Sequence, residues 1–401
     1  MKSNYKRIGD FIQEINVRNT KLDIKNLLGI NIDKFFMPSV ANIVGTDMTA
    51  YKIVKNGQFA CNRMHVGRDK RLPVALYNGE DDIMVSPAYN VFEIIDKEVI
   101  DPEYLMMWFL RSEFDRSAWF YTDADVRGGL NWKDFCNMKL PVPSIAKQKE
   151  IVKEYNVVVD RINTNNQLIR KLEETAQAIY KQWFVDFEFP NENGKSYRSD
   201  GGEMEFDKQL DKEIPKGWKV DALSGVADYL NGLAMQNYAS TTQEYIPVIK
   251  IRELSQGYTD EKSDRAKSSI QGKYIINNGD VIFSWSGTLK VEIWTGGIGG
   301  LNQHLFKVTS EKYERWFCFL WTKYHLKEFI RIAEGKAVSM GHIKREHLDE
   351  AKVLVPLSSQ MEMINIIMIP IFENITNYKI ESAKLLKISD LFLSKLATME
   401  G

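Results

Sequence analysis

Two stretches of this chain, LPVPSIAKQKEIV at residues 140–152 and VLVPLSSQMEMI at 353–364, follow one plan. An apolar run ends in proline, a Gln-x-Glu pair follows, and an apolar residue then opens a long helical pattern. Each stretch therefore marks the start of a long helix. Pro143 and Pro356 stand 213 positions apart, and the same shift carries Lys139 to Lys352, Phe135 to Leu348 and Gly128 to Gly341. Further upstream the copies drift. KIVKNGQFA at 52–60 resembles YIINNGDVI at 274–282, and AYNVFEI at 88–94 resembles QHLFKV at 303–308, which sets Phe92 against Phe306. Each half therefore predicts strands around an Asn-Gly turn, a helix and the proline junction. A period of this size is a duplicated domain, not a solenoid repeat.

After the first junction, Ile151, Tyr155, Val158, Ile162, Asn165, Ile169, Leu172, Ala176, Ile179 and Trp183 are spaced in alternating steps of four and three. That is a heptad seam. The second junction leads to Ile364, Met368, Ile371, Ile375, Tyr378, Ser382, Leu385, Ser389, Phe392 and Leu396, a seam broken by two serines. Pro370 lies within it and predicts a kink or a new helix start, because proline lacks the amide donor and clashes with the preceding turn. At ~1.5 Å per residue each helix would be roughly 60 Å long. Two such seams, in the same phase after two copies of one domain, pack most simply on each other; set antiparallel, they would pair residues whose numbers have a constant sum. Ile151 then meets Leu396, Tyr155 meets Phe392, Ile162 meets Leu385, Leu172 meets Ile375 and Trp183 meets Ile364. Asn165, the polar residue of the first seam, meets Ser382, and a buried polar pair of this kind fixes register. A slip of one heptad would set Asn165 against Ser389 or Ile375. Residues 188–213 are polar, contain Gly201-Gly202 and show no sustained apolar period, so they read as a linker.

The chain has 401 residues, 44% of them hydrophobic, which suffices for two or three domains with real cores. No apolar run approaches the ~18 residues of a membrane span, and the first residues, MKSNYKRIGDF, lack a signal-peptide core. Cys61, Cys136 and Cys318 are widely spaced and odd in number, which implies a reducing cytoplasm. Catalytic patterns are weak. DPEY at 101–104 has Glu103 where the adenine-methyltransferase Pro-Pro-aromatic motif needs its second proline, and reads better as a helix start. GGIGG at 296–300 lacks the Lys-Ser/Thr of a phosphate-binding loop and reads as a turn between strands. His65, His304, His325, His342 and His347 show no metal-ligand spacing, and His342 and His347 fit opposite edges of a short helix. These features describe a binding protein rather than an enzyme.

With a net charge of −1, any polyanion must be met by local basic faces. One is CNRMHVGRDKRLP at 61–73, with Arg63, His65, Arg68, Lys70 and Arg71. A second is DVRGGLNWKDF at 125–135, with Arg127 and Lys133. A third is GKAVSMGHIKREH at 335–347, with Lys336, Ser339, His342, Lys344 and Arg345. SWSGTLK at 284–290 and LNQH at 301–304 add Ser284, Ser286, Lys290, Asn302, Gln303 and His304. Glycine turns expose amides to phosphate, Arg reaches guanine edges and Asn or Gln reach adenine edges. Each patch alone would be an ordinary solvated loop. Their recurrence at comparable places in both halves favours nucleic-acid binding.

NGDVIFSWSGTLK (278–290), LNQHLF (301–306), LPVPSIAKQKEIV, AQAIYKQWFVDFEFP (176–190) and EIPKGWK (213–219), in this order, resemble the specificity subunit of type I DNA restriction–modification systems. The resemblance spans nearly the whole chain. It implies an α+β fold with two similar target recognition domains, at 1–143 and 214–356. Each is followed by a long helix, at 144–187 and 357–399, and the two helices pack antiparallel. It implies recognition of a split DNA target, two methyltransferase subunits and restriction–translocase subunits as partners, and no catalysis or cofactor in this chain. S-adenosylmethionine belongs to the methyltransferase subunit, and ATP and Mg to the restriction subunit. The second junction departs from the pattern, with Leu354-Val355-Pro356 lacking the first proline of Pro-Val-Pro, and the second seam carries Pro370. Two other classes stay open on the residues alone: a self-contained DNA methyltransferase or nuclease, and a coiled-coil scaffold without DNA contact.

Overall fold

Each proline junction ends a strand that pairs with the opening strand of its own domain. Tyr5–Arg7 runs antiparallel to Lys139–Pro141, and Lys219–Ala222 runs antiparallel to Lys352–Val355. The computed structural model describes residues 5–39, 45–122, 128–335 and 341–398. Residues 1–160 with 386–401 make one unit and residues 161–385 the other.

Both units carry the same antiparallel four-stranded sheet. In the first its strand order is Ile12–Ile15, Asn90–Ile94, Phe59–Cys61, Val74–Leu76. In the second it is Asp228–Asn231, Leu305–Thr309, Val281–Ser284, Lys290–Ile293. A helical segment packs on each: Pro102–Leu110 with Ser112–Phe120, and Arg315–Glu334. Asp101 caps the first of these through Glu103 and Tyr104 amides, with Pro102 in the first turn, so DPEY is a helix start. The short helices before the junctions, Trp132–Asn137 and Arg345–Glu350, keep the 213-residue shift. The second unit adds a sheet in which Tyr245–Ile249 is flanked by Arg265–Lys267 and, in parallel, by Gly299–Leu301. The end of GGIGG is thus strand, not turn.

The ladder corrects one detail of the repeat. The Leu130 amide donates to Arg63 O and the Ile343 amide to Trp285 O, both at 3.0 Å, which makes Arg63 the counterpart of Trp285. Cys61 then corresponds to Phe283. Cys61 lies opposite Asn90 and Phe283 opposite Phe306, so Phe306 occupies the place of Asn90 and Phe92 corresponds to Val308. Residues two apart on a strand share a face. Both phenylalanines therefore reach a core, and the apolar pattern alone cannot separate the two alignments.

Gln148 is fully buried inside the first junction. Its Nε2 donates to Pro143 O (2.8 Å) and Val99 O (3.0 Å), and its Oε1 accepts from the Asp101 amide (2.9 Å). In the second junction Gln360 Oε1 accepts from Trp218 Nε1 at 2.7 Å. The glutamine repeated in the sequence thus ties the start of each long helix to its domain.

The long helices run Ile145–Phe184 and Ser358–Lys395. Every seam position named above is buried or half-buried. In the first unit Ile151, Tyr155, Phe392 and Leu396 share one core with the domain. In the second, Trp183, Ile364 and Ile371 share another. Asn165 Nδ2 donates to Ser382 Oγ (3.3 Å) and Glu381 Oε2 (3.0 Å), while Arg161 grips both Glu381 oxygens at 2.9 Å. The second helix does not restart at Pro370. Pro370 and Ile366 lie on the exposed face, so the Ile366 carbonyl deprived of its amide partner meets water.

Residues 188–213, expected as a linker, have structure of their own. Met204–Asp207 and Lys212–Pro215 form a hairpin, and buried Phe189 stacks between Tyr197 (4.6 Å) and Trp218 (5.2 Å). A few isolated aromatic anchors hold this segment, and they leave no periodic trace in a polar sequence.

Candidate nucleic-acid interface

In the first unit the two sequence patches at 61–73 and 125–135 come together. The Phe59–Cys61 strand runs into a loop whose Gly67 amide donates to Gly128 O at 2.8 Å. The two glycines nearly touch: a Cβ on Gly67 would lie 2.7 Å from Gly128 Cα, and Gly128 has φ +56°. No side chain fits at either position without moving backbone. Arg63 is half-buried under this contact. Its Nε donates to Asn90 Oδ1 (2.7 Å), its Nη1 to Leu130 O, and its guanidinium lies 5.8 Å from the Trp132 ring. Asn90 in turn donates to Glu14 Oε1 at 2.7 Å. Arg63 is therefore a brace of the loop.

The other side of this loop is anchored on Asp115, which is 6% exposed. Its carboxylate accepts from the Leu72 amide (3.0 Å) and Lys34 Nζ (2.8 Å), and Arg71 Nε lies 3.5 Å away. Burial lowers the Lys34 pKa against the opposing pull of Asp115. Arg71 also pairs with Asp33 at 2.6 Å. His65 is half-buried at the start of the short helix Val66–Asp69. Outward-facing cations remain: Arg68, beside Asp69 at 2.7 Å; Lys70, over the Trp119 ring at 4.8 Å; and exposed Lys133.

The second unit repeats the construction with different side chains. The Gly287 amide donates to Gly341 O at 2.9 Å, and Ser286 pairs with His342 across an antiparallel bridge. SWSGTLK and the 341–347 segment are thereby joined. LNQH adds His304, whose Nδ1 lies 2.9 Å from Ser286 Oγ and whose Nε2 lies 3.3 Å from Gln303 Nε2. Trp285 stands between His304 (6.0 Å) and His342 (6.3 Å), and its Nε1 donates to Asn231 Oδ1 at 3.0 Å. His342 precedes the Arg345–Glu350 helix, so it and His347 are not two edges of one helix.

Ser284, Ser286 and Asn302 are buried and satisfied within the protein: the Ser284 hydroxyl donates to Ser286 O and Thr288 O, and Asn302 Oδ1 accepts from the His304 amide. They shape the loop. Lys290 pairs with Glu292 (3.3 Å), and Lys344 with Glu346 (3.0 Å). Arg345 donates to Tyr229 O (3.1 Å) beside the Phe306 ring. Arg127, Lys336 and Ser339 lie outside the described residues. Sequence reasoning missed Glu14, Asn90, Asp115 and Asn231, which hold these loops from distant strands and helices. No local pattern marks them. Among the described residues no cluster of three or more His, Cys, Asp or Glu could hold a metal ion, and no helix is long and apolar enough to cross a membrane.

The arrangement offers cations and aromatic or imidazole edges at one end of each duplicated sheet. Residues 215–387 match the type I restriction modification DNA specificity domain. The chain is 27% identical over 321 residues to the MjaIX type I restriction enzyme specificity subunit of Methanocaldococcus jannaschii, covering 76% of this chain and 70% of that one. It is 22% identical to the HindI specificity subunit of Haemophilus influenzae over 98% of both chains. The fold is shared with the S subunit of a type I restriction–modification system from M. genitalium, with TM-score 0.59, 12% identity, and coverage of 99% of this chain and 96% of that one. The duplicated domain and the paired helices agree with these likenesses: residues 215–387 match the specificity domain, and the chain as a whole is similar to type I restriction enzyme specificity subunits.

Proposed function

We propose that the chain confers sequence specificity by reading a split double-stranded DNA target, one half with each unit. The observation that carries this is the repeated loop clamp, Gly67–Gly128 with Leu130–Arg63 in one unit and Gly287–Gly341 with Ile343–Trp285 in the other. The backbone is kept while the side chains that brace it are exchanged, Arg63 and Asn90 in one and Trp285 and Phe306 in the other, and the outward-facing ones differ with them. A constant frame with variable edges is what two readers of different sequences need, since backbone contacts position a protein on DNA and side chains at base edges specify.

The duplicated junction and helix give a single chain two like docking faces, suited to two methyltransferase subunits about a pseudo-two-fold axis. Those subunits supply S-adenosylmethionine and the adenine chemistry, and restriction subunits with ATP and Mg complete the complex in the cytoplasm. Here the chain itself recognises and assembles, and does not catalyse. Exchanging residues 1–143 for the equivalent domain of a relative, followed by mapping of methylated adenines, tests this. One half of the target should change and the other persist. A swap that alters both halves in a soluble, assembled complex refutes independent reading.

A further inference from the structure

Three consecutive aromatic residues at the end of the Ser112–Phe120 helix lie outside any core. Trp119 is 43% exposed, Phe120 82% and Tyr121 50%. Water contact over so much ring surface is unfavourable, so a surface that exposes three consecutive rings marks a contact site. The rings are held in place. Phe120 and Tyr121 pack edge to face at 5.4 Å, Thr122 Oγ1 donates to Trp119 O at 2.7 Å, and Thr122 bridges to Leu130, two residues past Gly128. The aromatic step is thus tied to the loop clamp of the first unit.

The surrounding charge chooses the occupant. Lys70 Nζ lies 4.8 Å from the centre of the Trp119 ring, Arg68 is on the helix packed beside it, and Lys133 follows Leu130 by three residues. An apolar protein surface would gain nothing from these cations, whereas a polyanion with flat apolar faces inside it uses both. Among the described residues, the end of the Arg315–Glu334 helix in the second unit carries no such aromatic step. The 213-residue shift sets Ile332, Ala333 and Glu334 at these positions, and Ala333 is buried.

We infer that Phe120, packed against Tyr121, is a stacking wedge that enters a base step of double-stranded DNA at the first half-site. The inference rests on the DNA-reading proposal for the first unit and adds deformation of the duplex as a source of specificity there. Apolar side chains inserted between base pairs unstack and kink DNA most easily at flexible pyrimidine–purine steps. The first half-site is therefore expected to contain or adjoin such a step.

The test uses the chain assembled with its methyltransferase subunit and duplexes carrying the target found by methylation mapping, with 2-aminopurine placed in turn across the first half-site. Wild type should raise fluorescence at one step. Phe120→Ala should abolish that rise and weaken binding about 5- to 150-fold, the range of one lost base–aromatic stack, and Phe120→Leu, still an apolar wedge, should restore much of both. Arg68→Ala serves as the control for DNA contact by the loop, with a smaller salt slope expected. If Arg68→Ala weakens binding while Phe120→Ala changes neither affinity nor fluorescence, the wedge is refuted and the DNA reading stands. If neither variant has an effect, both fall. Loss of methyltransferase assembly in Phe120→Ala, with unaltered circular dichroism, makes the patch a protein contact and also overturns the wedge.

Discussion

Asn165→Leu should stabilise the helix pair. Asn165 is fully buried, its Nδ2 donates to Glu381 and Ser382, and its Oδ1 has no hydrogen-bond partner in the structure. Replacement removes two hydrogen bonds worth about 1 kcal/mol each and relieves a buried, unsatisfied carbonyl that costs about 1–3 kcal/mol. Burying a leucine there adds about 2 kcal/mol. Glu381 is not stranded, because Arg161 still holds both its oxygens and the carboxylate reaches water; Arg161, and then Asn165, hold its pKa below the usual range. The balance is a gain of about 1–3 kcal/mol. Native-state hydrogen exchange at residues 161–169 and 378–386 reads it as a rise in local opening free energy, without assuming that the whole chain unfolds in one step. A fall of 1 kcal/mol or more would show that the polar pair holds the seam by energy, not only by register.

Cysteines at 165 and 382, in a Cys136→Ser background, should crosslink within one chain under mild oxidation; efficient crosslinking of 165 to 389, with none to 382, would show a seam shifted by one heptad. Gln148→Ala leaves the Asp101 amide and two carbonyls without their partner, and should destabilise the first junction by about 2–4 kcal/mol, visible as faster exchange at residues 145–152; unchanged exchange would mean that apolar packing alone sets the helix angle. In the second unit, burial holds the His325 imidazole below its ordinary value, with Nε2 2.8 Å from Lys352 O. A depressed folded-state pKa means that the unfolded chain binds the proton first. The stability is therefore whole above pH ~6.5 and is lost as pH falls below it. Thermal midpoints between pH 7 and 5 should drop for wild type and less for His325→Gln, and equal slopes would remove His325 from the account.

The duplication, the α+β class and the paired helices were legible in the sequence because each is a periodic statement. Heptad spacing survives in the order of residues whatever the chain does elsewhere, and the 213-residue shift is exact from Gly128 to Pro143. Asn165 and Ser382 could even be matched across the seam, since antiparallel pairing is a rule about position alone. Tertiary structure decided whatever depends on which distant groups share a space. Phe92 and Phe306 looked equivalent until the ladder separated them by two residues, because a strand repeats its faces every second position. Pro370 broke no helix because its turn faces water. Arg63 and Ser284, which by residue type suit DNA contact, turned inward once Asn90, Leu130 and Thr288 were brought beside them. A side chain's donors and acceptors are fixed by its chemistry, but whether they meet solvent, DNA or the protein is a property of the folded neighbourhood, and no local pattern carries that information.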